Sequence, residues 1–558
     1  MKKKRLLSAI TASACMFSML TAMPNLIQAA PVSAATTVAN PFIYSDVPDD
    51  DIIRVGDTYY MVSTTMYFMP GCEILCSYDL VNWEHASYVY DRLDSTPEQT
   101  LSDNKNAYGK GMWAASLRFH KGMFYVCFVA NDTGKTYLYT APSINGPWKK
   151  NHIEGFYHDC SILFDDDDKI YIAYGNKDIY ITQLNEELTG PKEGGLHRLA
   201  VCDEGNEVLG YEGTHFYKIN GKYYLFFIHS LKDRWRRVEA CFMSDSLTGE
   251  FTGGDVFNDD LGYCGQGVAQ GAIVDTPDGK WYGILFQDRG ASGRMPVLIP
   301  VTWENDFPVF GNNGMMPQSF YVEQKVSEYV YRPLVESDDF REECAVNQEK
   351  FGCFGLKSVW QFNHEPDLSL VEKDIGQGML WITTGKVCER MIQARNILTQ
   401  RMLFPGCGAE VTVDATYLKE GDYAGICAFQ SCYSMVAVTK RDGKFYLVMK
   451  ARKAENDSLG AMAPETGEGE EYEAVELSNP KVRLRLEADF TNGKDEARCY
   501  YLDAENHWRK IGITQKLYFK LDFFTGCRFG LFVYATKQTG GKAGFAKFKY
   551  IKNLGDNR

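Results

Sequence analysis

Residues 47–60 read Val47-Pro-Asp-Asp-Asp-Ile-Ile-Arg-Val-Gly-Asp-Thr-Tyr-Tyr60. A short apolar run, a Gly-Asp turn and an aromatic pair predict a strand, a tight hairpin and a second strand. The same order returns in Ser116-Leu-Arg-Phe-His-Lys-Gly-Met-Phe-Tyr125 and Ser161-Ile-Leu-Phe-Asp-Asp-Asp-Asp-Lys-Ile-Tyr171. It returns again in His215-Phe-Tyr-Lys-Ile-Asn-Gly-Lys-Tyr-Tyr224 and Ala272-Ile-Val-Asp-Thr-Pro-Asp-Gly-Lys-Trp-Tyr282. The closing aromatics Tyr60, Tyr125, Tyr171, Tyr224 and Tyr282 lie 46 to 65 residues apart, room for one four-stranded blade each. The spacing predicts a five-bladed β-propeller over residues 36–325.

Outward from these repeats, the rest of the chain agrees with an all-β protein. Its 558 residues exceed what one core usually fills, and an aromatic content of 14% favours strands. From Asp338-Asp-Phe340 onward, alternating runs such as Val482-Arg-Leu-Arg-Leu-Glu487 and Phe529-Gly-Leu-Phe-Val-Tyr534 predict a second strand domain. It would occupy 338–555, behind a linker at 326–337. Asn456 to Glu476 is acidic and Gly-rich and reads as a mobile surface loop. A net charge of −14, from 59 basic and 73 acidic residues, argues against a nucleic-acid partner, and no basic cluster follows the N-terminus.

Residues 1–35 read as a cleaved signal peptide and the protein as secreted. Lys2, Lys3, Lys4 and Arg5 precede a mostly apolar run from Leu6 to Met23, and small residues cluster at Ala29-Ala30 and Ser33-Ala34-Ala35. Ser8, Thr11, Ser13 and Thr21 dilute the run, against a membrane anchor, so no membrane association is expected after cleavage. Many of the 16 cysteines sit inside apolar runs and read as small buried hydrophobes, with room for a few bridges. Cys72 and Cys76 have no second Cys or His pair nearby, against zinc.

In a propeller the innermost strand of each blade starts at the mouth of the central channel. Counting back 12 residues from the closing aromatics gives Trp113, Asp159, Glu212 and Gln270; counting back 11 in the first repeat gives Asp49. Carboxylates converging there repel one another, so at least one should hold its proton at neutral pH. A protonated acid facing an ionised base is the requirement for cleaving a glycosidic bond. Strand capping or ion binding is the competing role for such acids. Acidic turns are common, and Asp165 to Asp168 reads as a solvated one. Asp46, Asp50 and Asp51 crowd Asp49, and only the register selects among them.

At these residues the sequence resembles family 43 glycoside hydrolases, five-bladed propellers that hydrolyse arabinosides and xylosides with inversion. Val47-Pro-Asp-Asp-Asp resembles the first-blade motif, which implies Asp49 as general base, with Asp50 where proline is usual. His158-Asp-Cys-Ser resembles the segment that orients the acid and tunes its pKa, implying that role for Asp159. Glu212-Gly-Thr-His resembles the segment of the general acid, implying Glu212. Gly111-Met-Trp-Ala-Ala implies Trp113 as a sugar-stacking wall, and Gly290-Ala-Ser-Gly-Arg294 implies Arg294 as a contact to substrate hydroxyls. Many relatives begin the fifth blade with a His that holds a central ion; here Gly267-Val-Ala-Gln-Gly-Ala lacks it, and Gln270 is read as a contact to substrate or water. No cofactor is required by this reading, no metal ligands are assigned, and no motif supports a structural calcium.

Trp360-Gln-Phe-Asn-His-Glu-Pro-Asp and Gln393-Ala-Arg-Asn-Ile-Leu-Thr-Gln-Arg resemble the concanavalin-like β-sandwich (jelly roll) appended to such enzymes, which packs on the propeller and lends a loop to the pocket. Asn363 and His364 could line a sugar cleft or serve as structural hydrogen-bonding groups. The expected function is exo-acting, inverting release of α-L-arabinofuranosyl or β-D-xylosyl residues from arabinoxylan-type plant cell-wall polysaccharide or oligosaccharide. The alternatives are an endo-arabinanase on the same fold and a non-catalytic carbohydrate-binding protein, which would not need three convergent acids.

Overall fold

The computed structural model describes residues 34–324, 329–344, 353–455, 460, 464 and 467–554. The signal-peptide reading therefore lies outside the described residues except for Ala34 and Ala35. These belong to a strand that pairs antiparallel with Tyr321–Gln324.

Five four-stranded antiparallel sheets, each from one continuous stretch of chain, form the blades. Their innermost strands are Asp51–Val55, Ser116–His120, Ser161–Phe164, Glu212–Ile219 and Val268–Asp275. Each repeat folds as the hairpin its residues dictate. Asn220-Gly221 and Lys121-Gly122 both take positive φ at the two central positions, the backbone whose twist matches the flanking strands. Blades one and five close the circle by packing rather than by a shared strand. Val47, Ile52 and Met61 meet Ala272, Val274, Ile284 and Leu298, with Arg54 paired to Asp275 at 2.5 Å.

Two seven-stranded sheets form the C-terminal sandwich. Their inner faces bury Leu398, Val411, Ile426, Val436, Leu484, Phe529 and Phe545. Part of the expected acidic loop is instead an edge strand, Glu470–Leu477, paired with Lys444–Ala451. Its acids face cations, Glu471 with Arg441 and Glu476 with Lys444, so charge that looked like loop composition serves an exposed sheet edge. Residues 456–459, 461–463 and 465–466 of that span lie outside the described residues.

The two units share a continuous buried interface. Tyr67, Phe68 and Tyr108 of the propeller pack with Phe429, Phe523 and Phe532 of the sandwich. Met69 and Phe362 exchange backbone hydrogen bonds at 2.7 and 3.0 Å. Arg401 pairs with the fully buried Glu73, which His85 also meets at 2.6 Å. Asn363 and His364 belong to this interface, which decides their open reading against a sugar cleft. His364 is 1% exposed, stacks on Tyr67 at 5.1 Å and accepts from the Ala107 N–H at 3.1 Å, while Asn363 donates to the Ala394 carbonyl at 3.1 Å. The expected linker is described from residue 329, and there Tyr329 packs edge-on against Tyr78 of blade one at 4.8 Å. Among the described cysteines none forms a disulfide, and most are buried.

Candidate active site

Asp49 and Asp159 stand just before innermost strands, each in the left-handed region, with φ of 57° and 47°. Such a backbone is uncommon for residues other than glycine and turns the side chain out of the strand's alternation. Gln270 has the same conformation, at a register shift between Ala269 and Gly271. In blade four the equivalent break falls at Gly213, φ 65°, where a Cβ would lie 2.6 Å from the Gln270 side chain. Only glycine fits there, and this bend turns Glu212 toward the channel mouth.

Asp49 is nearly buried, 7% exposed. Burial pushes its carboxyl above the usual aspartate range; the nearby Arg294 opposes this and Asp159 adds to it. Arg294 Nη1 donates to Asp49 Oδ1 at 2.7 Å and Nη2 donates to the Phe524 carbonyl at 3.2 Å. The same guanidinium lies over the Phe524 ring at 4.4 Å, and Trp113 meets that ring at 5.7 Å. A sandwich residue thus completes the wall to which Trp113 belongs. Of the neighbours of Asp49, Asp46 is occupied elsewhere and Asp50 is sealed in the interior. Asp46 accepts from the backbone N–H groups of Arg294 and Gly526, both at 2.8 Å. Asp50 is fully buried with no hydrogen-bond partner on either oxygen, and burial, then Asp49, push its carboxyl well up.

Asp159 and Glu212 lie side by side with His158. The Gly213 N–H donates to Asp159 Oδ2 at 3.1 Å, which ties this acid to the strand that carries Glu212. Burial raises the Asp159 carboxyl against the pull of His158, and Glu212 raises it further. His158 Nε2 is 3.7 Å from Asp159 and 3.9 Å from Glu212. Asp159 foremost, then Glu212, overcome burial and lift the imidazole to about 9. Asn176 Nδ2 donates to Glu212 Oε2 at 2.5 Å. Gln270 does not stand free: its N–H donates to the buried Glu239 at 2.8 Å, and its side chain lies over Gly213.

Sequence reasoning missed His158, Asn176 and Phe524. His158 had a signal, since it adjoins Asp159; the other two arrive from a neighbouring strand and another domain. Asp165, read within a solvated turn, is instead 6% exposed and accepts from Tyr223 at 2.6 Å and from Lys218.

The central ion held in many relatives does not fit this channel. Arg118 of blade two reaches across it, donating to Asp51 of blade one at 2.6 Å and to Ser161 Oγ and the Ile162 carbonyl of blade three at 2.6 and 2.8 Å. Asp51 also faces His215 of blade four at 3.1 Å. Burial opposes ionisation of Asp51, but Arg118 and His215 hold its carboxyl below the usual range. A guanidinium therefore already supplies positive charge on the axis. His158, Asp159 and Glu212 bring one possible ligand atom each within 4.8 Å of one another.

The profile described as Glycosyl hydrolases family 43 matches residues 38–308, and that of the β-xylosidase C-terminal concanavalin A-like domain matches 349–551. A β-xylosidase of Formosa agariphila is 26% identical over 92% of this chain and 90% of its own. A protein of Xylanibacter ruminicola named as a β-xylosidase is 30% identical over 71% of this chain and 72% of its own. Among solved structures, a bifunctional GH43-CE protein of Bacteroides eggerthii is 40% identical with a TM-score of 0.83; the match covers 93% of this chain and 64% of that longer one. A GH43 enzyme engineered to show both endo-xylanase and exo-arabinofuranosidase activity is 27% identical, covers 93% of this chain and all of its own, and has a TM-score of 0.82.

Proposed function

Because the chain belongs to glycoside hydrolase family 43, we propose that it is an exo-acting, inverting glycosidase that releases α-L-arabinofuranosyl or β-D-xylosyl residues from arabinoxylan-type chains. The observation that carries this reading is the convergence of Asp49, Asp159 and Glu212 on one mouth, under the wall of Trp113 and Phe524.

Asp49, whose ionised form the Arg294 bond supports against the lift from burial, takes a proton from water as that water attacks the anomeric carbon. Glu212 gives its proton to the departing glycosidic oxygen, so one C–O bond forms as the other breaks and the anomeric centre inverts. Asp159, fixed by the Gly213 N–H, orients Glu212. Closure by the sandwich residue Phe524 supports exo rather than endo action. The basic and apolar N-terminal stretch supports export to meet such polymers. Names of relatives, β-xylosidase among them, support the pentose classes.

The test is turnover of nitrophenyl α-L-arabinofuranoside against nitrophenyl β-D-xyloside, with release of the same sugar from arabinoxylan oligosaccharides. Hydrolysis of at least one, abolished in Asp49→Asn, is expected. Binding of the oligosaccharides without any sugar release would overturn the reading.

A further inference from the structure

One donor and one nearby imidazole approach Glu212 from the same side. Asn176 Nδ2 binds Oε2 at 2.5 Å, and His158 Nε2 stands 3.9 Å from the same oxygen. Among the described residues no donor reaches Oε1. The carboxyl is therefore asymmetric: Oε2 is held as an acceptor, and Oε1 is the oxygen able to carry a proton into the pocket. His158 cannot turn away freely, since its ring packs against Trp113 at 5.8 Å and its Nε2 also faces Asp159 at 3.7 Å.

We propose that His158 is a positioning residue that, as a cation and together with Asn176, clamps Oε2 of Glu212, so that the proton given to the leaving group sits on Oε1. This rests on Glu212 being the general acid. The charged and titratable groups facing His158 are Asp159 and Cys160 beside it in the chain and Glu212 from blade four; Asp49 and His215 act on Asp159 from blades one and four. With an imidazolium raised to about 9, the cation is present throughout the neutral range. It offsets the repulsion between Asp159 and Glu212 and stabilises the Glu212 carboxylate left after proton transfer. Removing it takes that positive charge away from the carboxylate.

The experiment compares pH profiles of kcat/KM for His158→Gln, His158→Lys and Glu212→Gln on an aryl glycoside with a good leaving group and on an oligosaccharide with a poor one. Glutamine keeps an N–H but no charge. Its alkaline limb should move up by about one pH unit, and its rate on the poor leaving group should fall about tenfold while the good one is spared. Lysine restores the cation and should return the limb toward that of the unmodified enzyme. An unmoved limb in His158→Gln, or equal shifts in both variants, would overturn the proposal for His158 alone. Full activity of Glu212→Gln on the poor leaving group would instead overturn the acid assignment on which it rests. Melting temperatures of all three variants separate these outcomes from misfolding.

Discussion

Phe524 of the sandwich lies across Arg294 of the propeller, its ring 4.4 Å from the guanidinium and its carbonyl 3.2 Å from Nη2. The arginine that holds Asp49 is thus itself held by the second domain. Phe524→Ala removes the ring and leaves the carbonyl, freeing the guanidinium to shift and opening the wall beside Trp113. We expect kcat/KM to fall about 10- to 100-fold, mostly through KM, as loss of positioning does. A variant with unchanged KM would show that the sandwich only supports the propeller.

Asp50 predicts a substitution that stabilises. Its carboxyl keeps a proton in the folded protein that the unfolded chain gives up above the ordinary aspartate value of about 4. Folding is therefore penalised increasingly as pH rises from that value toward the raised one. Asp50→Asn removes the penalty, so its melting temperature should exceed that of the unmodified protein at pH 7 and match it near pH 4. Calorimetry at the two pH values checks both sign and window.

Glu73 behaves in the opposite sense. Although burial works against it, Arg401 and His85 hold its carboxyl below the usual glutamate range. Its stabilisation is present in full above that range and is lost as pH falls below it toward the lowered value of the folded state. Glu73→Gln leaves Arg401 buried and unpaired between the domains, at a cost of about 3–5 kcal/mol. Urea unfolding at pH 7 should show that loss, and the difference should shrink in acid.

Arg118 makes a prediction about metals. With its guanidinium bonded to Asp51, Ser161 and the Ile162 carbonyl, neither calcium nor a chelator should move the melting temperature of the unmodified protein. Arg118→Met should lower it by several degrees, because Asp51 stays buried without the guanidinium that pairs with it. A clear drop on chelation alone would contradict the role given to Arg118.

What was legible in the sequence follows from local rules. Hairpins write themselves in Gly, Asn and Asp turns, so the blades and the register of Asp49, Asp159 and Glu212 could be counted. Contacts formed by distant segments leave no such trace. Phe524 reaches Arg294 from another domain, Arg118 looks like any strand arginine until three blades surround it, and His364 was ambiguous until Tyr67 was seen stacked on it. The Glu470–Leu477 strand was missed because its acids, written for an exposed edge, read as loop composition.

The proposed single displacement sets Asp49 and Glu212 on opposite sides of the scissile bond. Proton NMR of the first sugar released, recorded before mutarotation, tests it most directly. Inversion gives β-L-arabinofuranose from an α-L-arabinofuranoside, or α-D-xylose from a β-D-xyloside. First release of the anomer that matches the substrate would mean a covalent double displacement and would contradict it.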